Sequence, residues 1–160
     1  MSRFVNLGDA GVRLVPLVRS RLANFTEPCL LAIMPNGVPV AEPLADELGL
    51  QIYAAPLDRT GDPRPGVLPN LTGRTAIVVD DGVETGTAAR LIGEAARSAG
   101  AVSAVLAVPV CPREARPLMD RIYDEVLVLE QPIARRDLRW HYTDFNTIDE
   151  AEAERRLAAR

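Results

Sequence analysis

The chain has 160 residues, 48% of them apolar and 25% charged, with a net charge of −4; this is one domain's worth of globular chain, not a disordered or fibrous sequence. All eighteen basic residues are Arg and none is Lys, which argues against a nucleic-acid partner, since that needs a basic face, and takes lysine out of every mechanism. No apolar run is long enough to cross a bilayer, and Met1-Ser-Arg-Phe-Val-Asn lacks the apolar stretch of a secretory signal, so the expectation is a cytoplasmic protein with no membrane partner.

In chain order, the first twenty-five residues carry an amphipathic pattern (Leu14, Leu17, Val18, Leu22) interrupted by Pro16. Leu30-Leu-Ala-Ile33 reads as a first strand. After Met34-Pro-Asn-Gly37, Ala41, Leu44, Ala45 and Leu48 fall at helical spacing, with Gly49 as a C-terminal cap. Gln51–Ala55 is a second strand. The proline-rich stretch Thr60–Thr72 has no periodicity and reads as a loop long enough to be an active-site lid. Ala76-Ile-Val-Val79 is a third strand, and Ala88, Ile92, Ala95, Ala96 and Ala99 mark a helix that ends at Gly100. Val105–Val108 and Val126–Leu129 are the fourth and fifth strands. Between them Pro112 is placed to open a helix that Pro117 should kink or shorten. Thr147-Ile-Asp-Glu150 has a capping-box pattern at the start of a polar terminal helix.

Strands alternating with helical segments are the signature of βαβ units. The expected fold is a single α/β domain over residues 1–160, a largely parallel five-stranded sheet flanked by helices. Residues 1–25 form an N-terminal helical segment, 60–73 a flexible loop and 131–160 a C-terminal hood and helix. Cys29 and Cys111 sit in or beside strand-like runs and read as buried free thiols. With one histidine and no Cys-x-x-Cys, the sequence argues against zinc.

In an open α/β sheet, ligands bind beyond the carboxyl ends of the strands, which directs attention to Met34–Gly37, Asp80–Ala88 and Pro109–Cys111. Gly82, Thr85, Gly86 and Thr87 make a small-residue turn that leads into a helix N-terminus, an anion site that needs no lysine. Asp80 and Asp81, just upstream, cannot bind phosphate, but as acceptor-only carboxylates they suit a sugar diol. A phosphorylated ribose has both features. A P-loop would need a lysine, and a dinucleotide site the spacing G-x-G-x-x-G; neither is present. A methyltransferase-like loop fits in outline, but the double acid followed by Thr-Gly-Thr suits it poorly. The plain structural alternative is that the two acids only end a strand and cap a helix.

At these residues the sequence resembles the type I phosphoribosyltransferases. AIVVDDGVETGTA, Ala76–Ala88, is similar to their signature of four apolar residues, two acids, two apolar positions and a Thr-Gly loop, with Gly82 and Glu84 as departures. LAIMPNGVPVA, Leu31–Ala41, is similar to the pyrophosphate-loop segment of one little-characterised bacterial branch, usually Pro-Arg-Gly-Gly-Val-Pro-Val. VLAVPVCPREA and Tyr142-Thr-Asp-Phe145 resemble the same branch.

The resemblance implies that Asp80 and Asp81 hold the ribose hydroxyls of phosphoribosyl pyrophosphate. It also implies that Thr85, Gly86, Thr87 and Ala88 wrap the 5′-phosphate, and that Pro35, Asn36 and Gly37 meet the pyrophosphate. Mg²⁺ would come with the substrate, held largely by its oxygens, with Asp80 and Asp81 as the candidate protein ligands. The implied reaction replaces pyrophosphate with a nucleobase or other nitrogen nucleophile, within nucleotide metabolism. Glu84 would be a general base facing that nucleophile; the alternative for it is a solvated or capping glutamate. The family also implies a homodimer.

Pro35 stands where the branch has Arg, so a positive charge is missing; Arg59 or Arg64, flanking the proline-rich loop, can replace it or can be plain surface arginines. Asn36 stands where the branch has Gly and tolerates left-handed backbone. Trp140, His141, Tyr142 and Phe145 form either a hood over a flat base, with His141 an acid or base, or a plug that pins the C-terminal segment to the core. The leading reading is a transferase that uses phosphoribosyl pyrophosphate. The alternative is a noncatalytic protein that keeps the ribose-phosphate site and regulates.

Overall fold

Five parallel strands form the centre of the computed structural model, which describes residues 3–160. They are β1 (Cys29–Ile33), β2 (Ile52–Ala55), β5 (Thr75–Val79), β6 (Ser103–Val110) and β7 (Glu125–Glu130), in the spatial order β2-β1-β5-β6-β7. One row of the register runs Tyr53, Leu31, Val78, Leu106, Val126 across all five. Each residue of β1 and β5 is buried, as strands covered on both faces require.

The period of two divides the core. Leu30, Ala32, Ile77, Val79, Val105 and Ala107 face α1 (Leu7–Arg19), α2 (Gly37–Leu48) and α5 (Glu150–Ala158). Leu31, Ile33, Ala76, Val78, Leu106 and Val108 face α3 (Thr87–Ser98) and α4 (Arg116–Ile122). Cys29 and Cys111 are free and buried on the second face, and burial raises both thiol pKa values, Cys111 to about 11. No helix among the described residues is long and apolar enough to cross a membrane.

The strands and the α2 cap are as expected, with Gly49 left-handed at the end of α2, but four local expectations are corrected. Pro16 does not interrupt α1, which runs through it; the carbonyl that loses its donor belongs to Val12, on the exposed side. α4 begins at Arg116 rather than at Pro112, so Pro117 falls in its first turn, where its missing N–H breaks no bond, and it causes no kink. The cap of α5 is Asp149, which accepts from the Glu152 N–H at 2.8 Å, rather than Thr147. The proline-rich stretch is partly ordered: β4 (Arg64–Pro65) pairs antiparallel with β3 (Leu57–Asp58), making a small hairpin beside the sheet.

Candidate functional site

Ala32 of β1 lies beside Val79 of β5, so the loops that leave these two strands run side by side. Between them and the β3–β4 hairpin opens a cavity of about 500 Å³. Its lining brings together Pro35, Asn36, Arg59, Asp80, Asp81, Glu84, Thr85, Gly86, Thr87 and Ala88, all singled out from sequence. Gly37 is the exception: it is the first residue of α2 and is buried beneath the loop.

The anion end is built from the start of α3. Gly86 precedes the helix with φ 91°, a left-handed conformation natural to glycine, and has no side chain to cap the N–H groups behind it. The Thr87 hydroxyl lies 3.2 Å from that of Thr85, which also accepts a long 3.4 Å contact from the Thr87 N–H. Hydroxyls and helix N–H groups therefore converge on the cavity with the positive end of the helix dipole behind them.

The acidic pair occupies the end of β5. Asp80 Oδ1 accepts from the Asp81 N–H at 2.8 Å. Burial, then the neighbouring Asp81 charge, pushes the Asp80 carboxyl well above the usual range. Burial likewise pushes Asp81 up to about 6, against the opposing pull of Arg59. Two desolvated carboxylates with little countercharge form a site that gains from hydroxyl donors or a cation.

Arg59 reaches in from the hairpin and donates to the Met34 carbonyl at 3.2 Å, immediately before Pro35. It places a guanidinium beside the loop whose own cation is missing, while Arg64 is exposed and outside the cavity lining. The Met34–Pro35 peptide is cis. Asn36 does not use left-handed geometry: its φ is −79° and ψ −11°, and its side chain accepts from the Ile148 N–H at 2.9 Å, facing the C-terminal segment.

The aromatic cluster pins that segment. Tyr142 stacks between Phe4 and Phe145, and its hydroxyl donates to the Asp81 carbonyl at 2.6 Å. Burial, first of the causes, raises the Tyr142 pKa and keeps the phenol a donor. Trp140 lies under Arg3 and Arg136. His141 is buried, with its pKa lowered mainly by that burial, and like Trp140, Tyr142 and Phe145 it is outside the cavity lining. The residue of this segment that does line the cavity is Leu138, whose N–H donates to Glu84 Oε1 at 3.1 Å. Sequence reasoning passed over it, because a lone leucine carries no chemical signal.

The tie from Tyr142 to Asp81 links the segment's anchorage to the site. Tyr142→Phe leaves a buried carbonyl without its donor and is expected to lower stability by about 1–3 kcal/mol. Urea denaturation of the variant measures this directly.

An uncapped helix start beside a buried acid pair, at the carboxyl ends of a parallel sheet of this order, gives one cavity an anion-accepting end and a donor-accepting end. The chain belongs to the phosphoribosyl transferase family, whose domain model matches residues 15–141. Two curated Mycobacterium tuberculosis proteins, each named "Putative phosphoribosyl transferase", are 44% identical to it over 62 residues; the match covers 39% of this chain and 14% of theirs. Among solved structures, TT1426 from Thermus thermophilus superposes with a TM-score of 0.85 at 20% identity, covering 98% of both chains. A purine phosphoribosyltransferase from Pyrococcus horikoshii superposes with a TM-score of 0.59 at 16% identity, covering 83% of this chain and 95% of its own.

Proposed function

We propose that the protein transfers a phosphoribosyl group from phosphoribosyl pyrophosphate to a nitrogen nucleophile, a nucleobase or a similar amine, with release of pyrophosphate. The observation that carries this reading is the convergence of Asp80, Asp81, the uncapped start of α3 and Arg59 on one cavity.

In this reading the ribose 2′ and 3′ hydroxyls donate to Asp80 and Asp81. The 5′-phosphate sits on the N–H and hydroxyl groups of Thr85–Ala88. The pyrophosphate lies along Met34–Asn36, where Arg59 supplies the charge that Pro35 lacks. The bond from C1 to the pyrophosphate oxygen breaks with its electron pair leaving on pyrophosphate, and the nucleophile's nitrogen lone pair forms the new bond. The positive charge that develops on the ribose faces the two aspartates. Glu84, an exposed carboxylate on the cavity wall, takes the proton that the nucleophile sheds.

Hard carboxylate oxygens fit Mg²⁺, and Asp80 and Asp81 are the residues that would meet an ion held mainly by substrate oxygens and water. Bound in that way, Mg²⁺ would neutralise charge on the departing pyrophosphate.

The raised carboxyl pKa values give this reading a pH signature. Diol and cation binding require ionised aspartates, so affinity for the magnesium complex of phosphoribosyl pyrophosphate is expected to rise with pH through about 6, the value for Asp81, and to level off only once Asp80, whose carboxyl is also raised, has ionised. Below that value it falls roughly tenfold per pH unit for each proton displaced. The stability of the free protein has the opposite sign: because the folded pKa is raised, the contribution of protonated Asp81 is full below its ordinary value of 3.8 and is lost as pH rises through about 6. Calorimetric titrations and thermal melts across this window test both.

Turnover is tested by incubating the protein with phosphoribosyl pyrophosphate, Mg²⁺ and a panel of nucleobases and small amines while following pyrophosphate release. Release with one acceptor class supports the transferase. Tight binding with no release across the panel favours a second reading, a noncatalytic regulator; the observation behind it is that the pyrophosphate loop itself carries proline where a cation is expected.

A further inference from the structure

Gly82 and Glu84 are the two positions at which the central motif departs from its pattern, and both meet the same residue. Glu84 Oε1 accepts the Leu138 N–H at 3.1 Å. A Cβ on Gly82, whose φ is +150°, would lie 2.5 Å from Leu138 Cδ2, so any larger residue would push Leu138 away. The Tyr142 hydroxyl, four residues on, grips the Asp81 carbonyl. Asp137 accepts from the Arg139 N–H at 2.9 Å and starts the short 3-10 turn Leu138–His141. Three residues of the motif, Asp81, Gly82 and Glu84, thus receive one short stretch of the C-terminal segment, and Leu138 is the part of that stretch that lines the cavity.

We propose that Gly82 and Glu84 form a single latch that seats Leu138 as an apolar wall of the cavity on its acceptor side, making Leu138 a specificity-determining residue that Glu84 positions through the main chain. The wall's role rests on the ribose-phosphate reading above, whereas the latch does not. Glycine clears the space, the carboxylate supplies the acceptor, and the backbone N–H of Leu138 needs no particular side chain to answer it. Met34, Leu57 and Val83 are the cavity's other large apolar residues, and no aromatic ring lines it among the described residues, so the shape of Leu138 replaces ring stacking in bounding what lies against the sugar. A proton-accepting role and this positioning role for Glu84 separate in one variant, because the amide oxygen of Glu84→Gln still accepts a hydrogen bond but takes up no proton.

Amide hydrogen exchange on the full chain without ligand, read by NMR at Leu138, tests the latch. Glu84→Ala is expected to speed exchange of the Leu138 amide at least about tenfold, with new tryptic cleavage after Arg135 and Arg136, while Glu84→Gln stays within about threefold of wild type. Unchanged exchange in Glu84→Ala overturns the latch; so does equal loss of protection in both variants, which would mean that charge rather than the bond to Leu138 holds the segment.

The wall is tested with ribose 5-phosphate and adenosine 5′-monophosphate as probes. Leu138→Ala is expected to change the ratio of their affinities at least about fivefold, because only the second carries a group beyond the sugar. An unchanged ratio overturns the wall. A wild-type protein that binds neither probe overturns the ribose-phosphate reading and the wall with it, and leaves the exchange result to decide the latch by itself.

Discussion

Replacing Asp80 and Asp81 together by Asn is expected to weaken binding of phosphoribosyl pyrophosphate by roughly 10²–10⁴-fold and to leave the protein folded. Each carboxylate is to accept a ribose hydroxyl, and a hydrogen bond to a charged group is worth about 1.5–3 kcal/mol. Asn offers one neutral acceptor in its place. The same change removes two carboxylates whose ionised forms are disfavoured by burial and, at Asp80, also by the neighbouring Asp81 charge. Above pH 6 the variant should therefore be the more stable protein, by on the order of 1–3 kcal/mol. Loss of binding together with a gain in stability is the mark of groups kept for function. A variant that loses both has only been unfolded, and circular dichroism melts beside the calorimetry tell the two apart.

Arg59→Gln should cost about 10–100-fold in affinity for phosphoribosyl pyrophosphate and much less for ribose 5-phosphate. Arg59 is the cation that the structure places next to Met34 and Pro35, and a charge at about 4 Å from a pyrophosphate oxygen is worth up to about 4 kcal/mol at an effective dielectric of 20, before solvent screening. Its charge also opposes the rise in both aspartate pKa values, so the pH at which binding levels off should move upward in the variant. Equal losses for the two ligands would place the guanidinium at the sugar or the 5′-phosphate rather than at the pyrophosphate.

How far the sequence carried these conclusions depends on how local each signal is. The strands were legible because apolar residues alternate with helical stripes over whole elements. Asp80–Ala88 was legible because its acids, glycine and threonines are contiguous, and a contiguous set keeps its geometry wherever the strand and helix place it. The β3–β4 hairpin was missed, since a two-residue pairing leaves no periodic trace, and Pro63, Pro65 and Pro69 outweighed it. Pro117 and Thr147 misled because proline in a first turn and threonine before an acid each suit more than one register of the helix start. The contacts that Leu138 and Tyr142 make with the motif were beyond reach for a different reason: they span 54 and 61 residues of chain, through a backbone N–H in one case and to a backbone carbonyl in the other. The aromatic cluster had two readings on sequence, and the burial of Tyr142 and His141 favours the plug over the hood.

Whether this cavity holds the ribose and both phosphate ends of phosphoribosyl pyrophosphate is read from calorimetric titration of the intact chain with that ligand at pH 7.5, once with Mg²⁺ and once with a chelator. One-to-one binding that is strong with Mg²⁺ and weakened at least about tenfold by the chelator is expected. No heat of binding under either condition, from a protein shown to be folded, would contradict it.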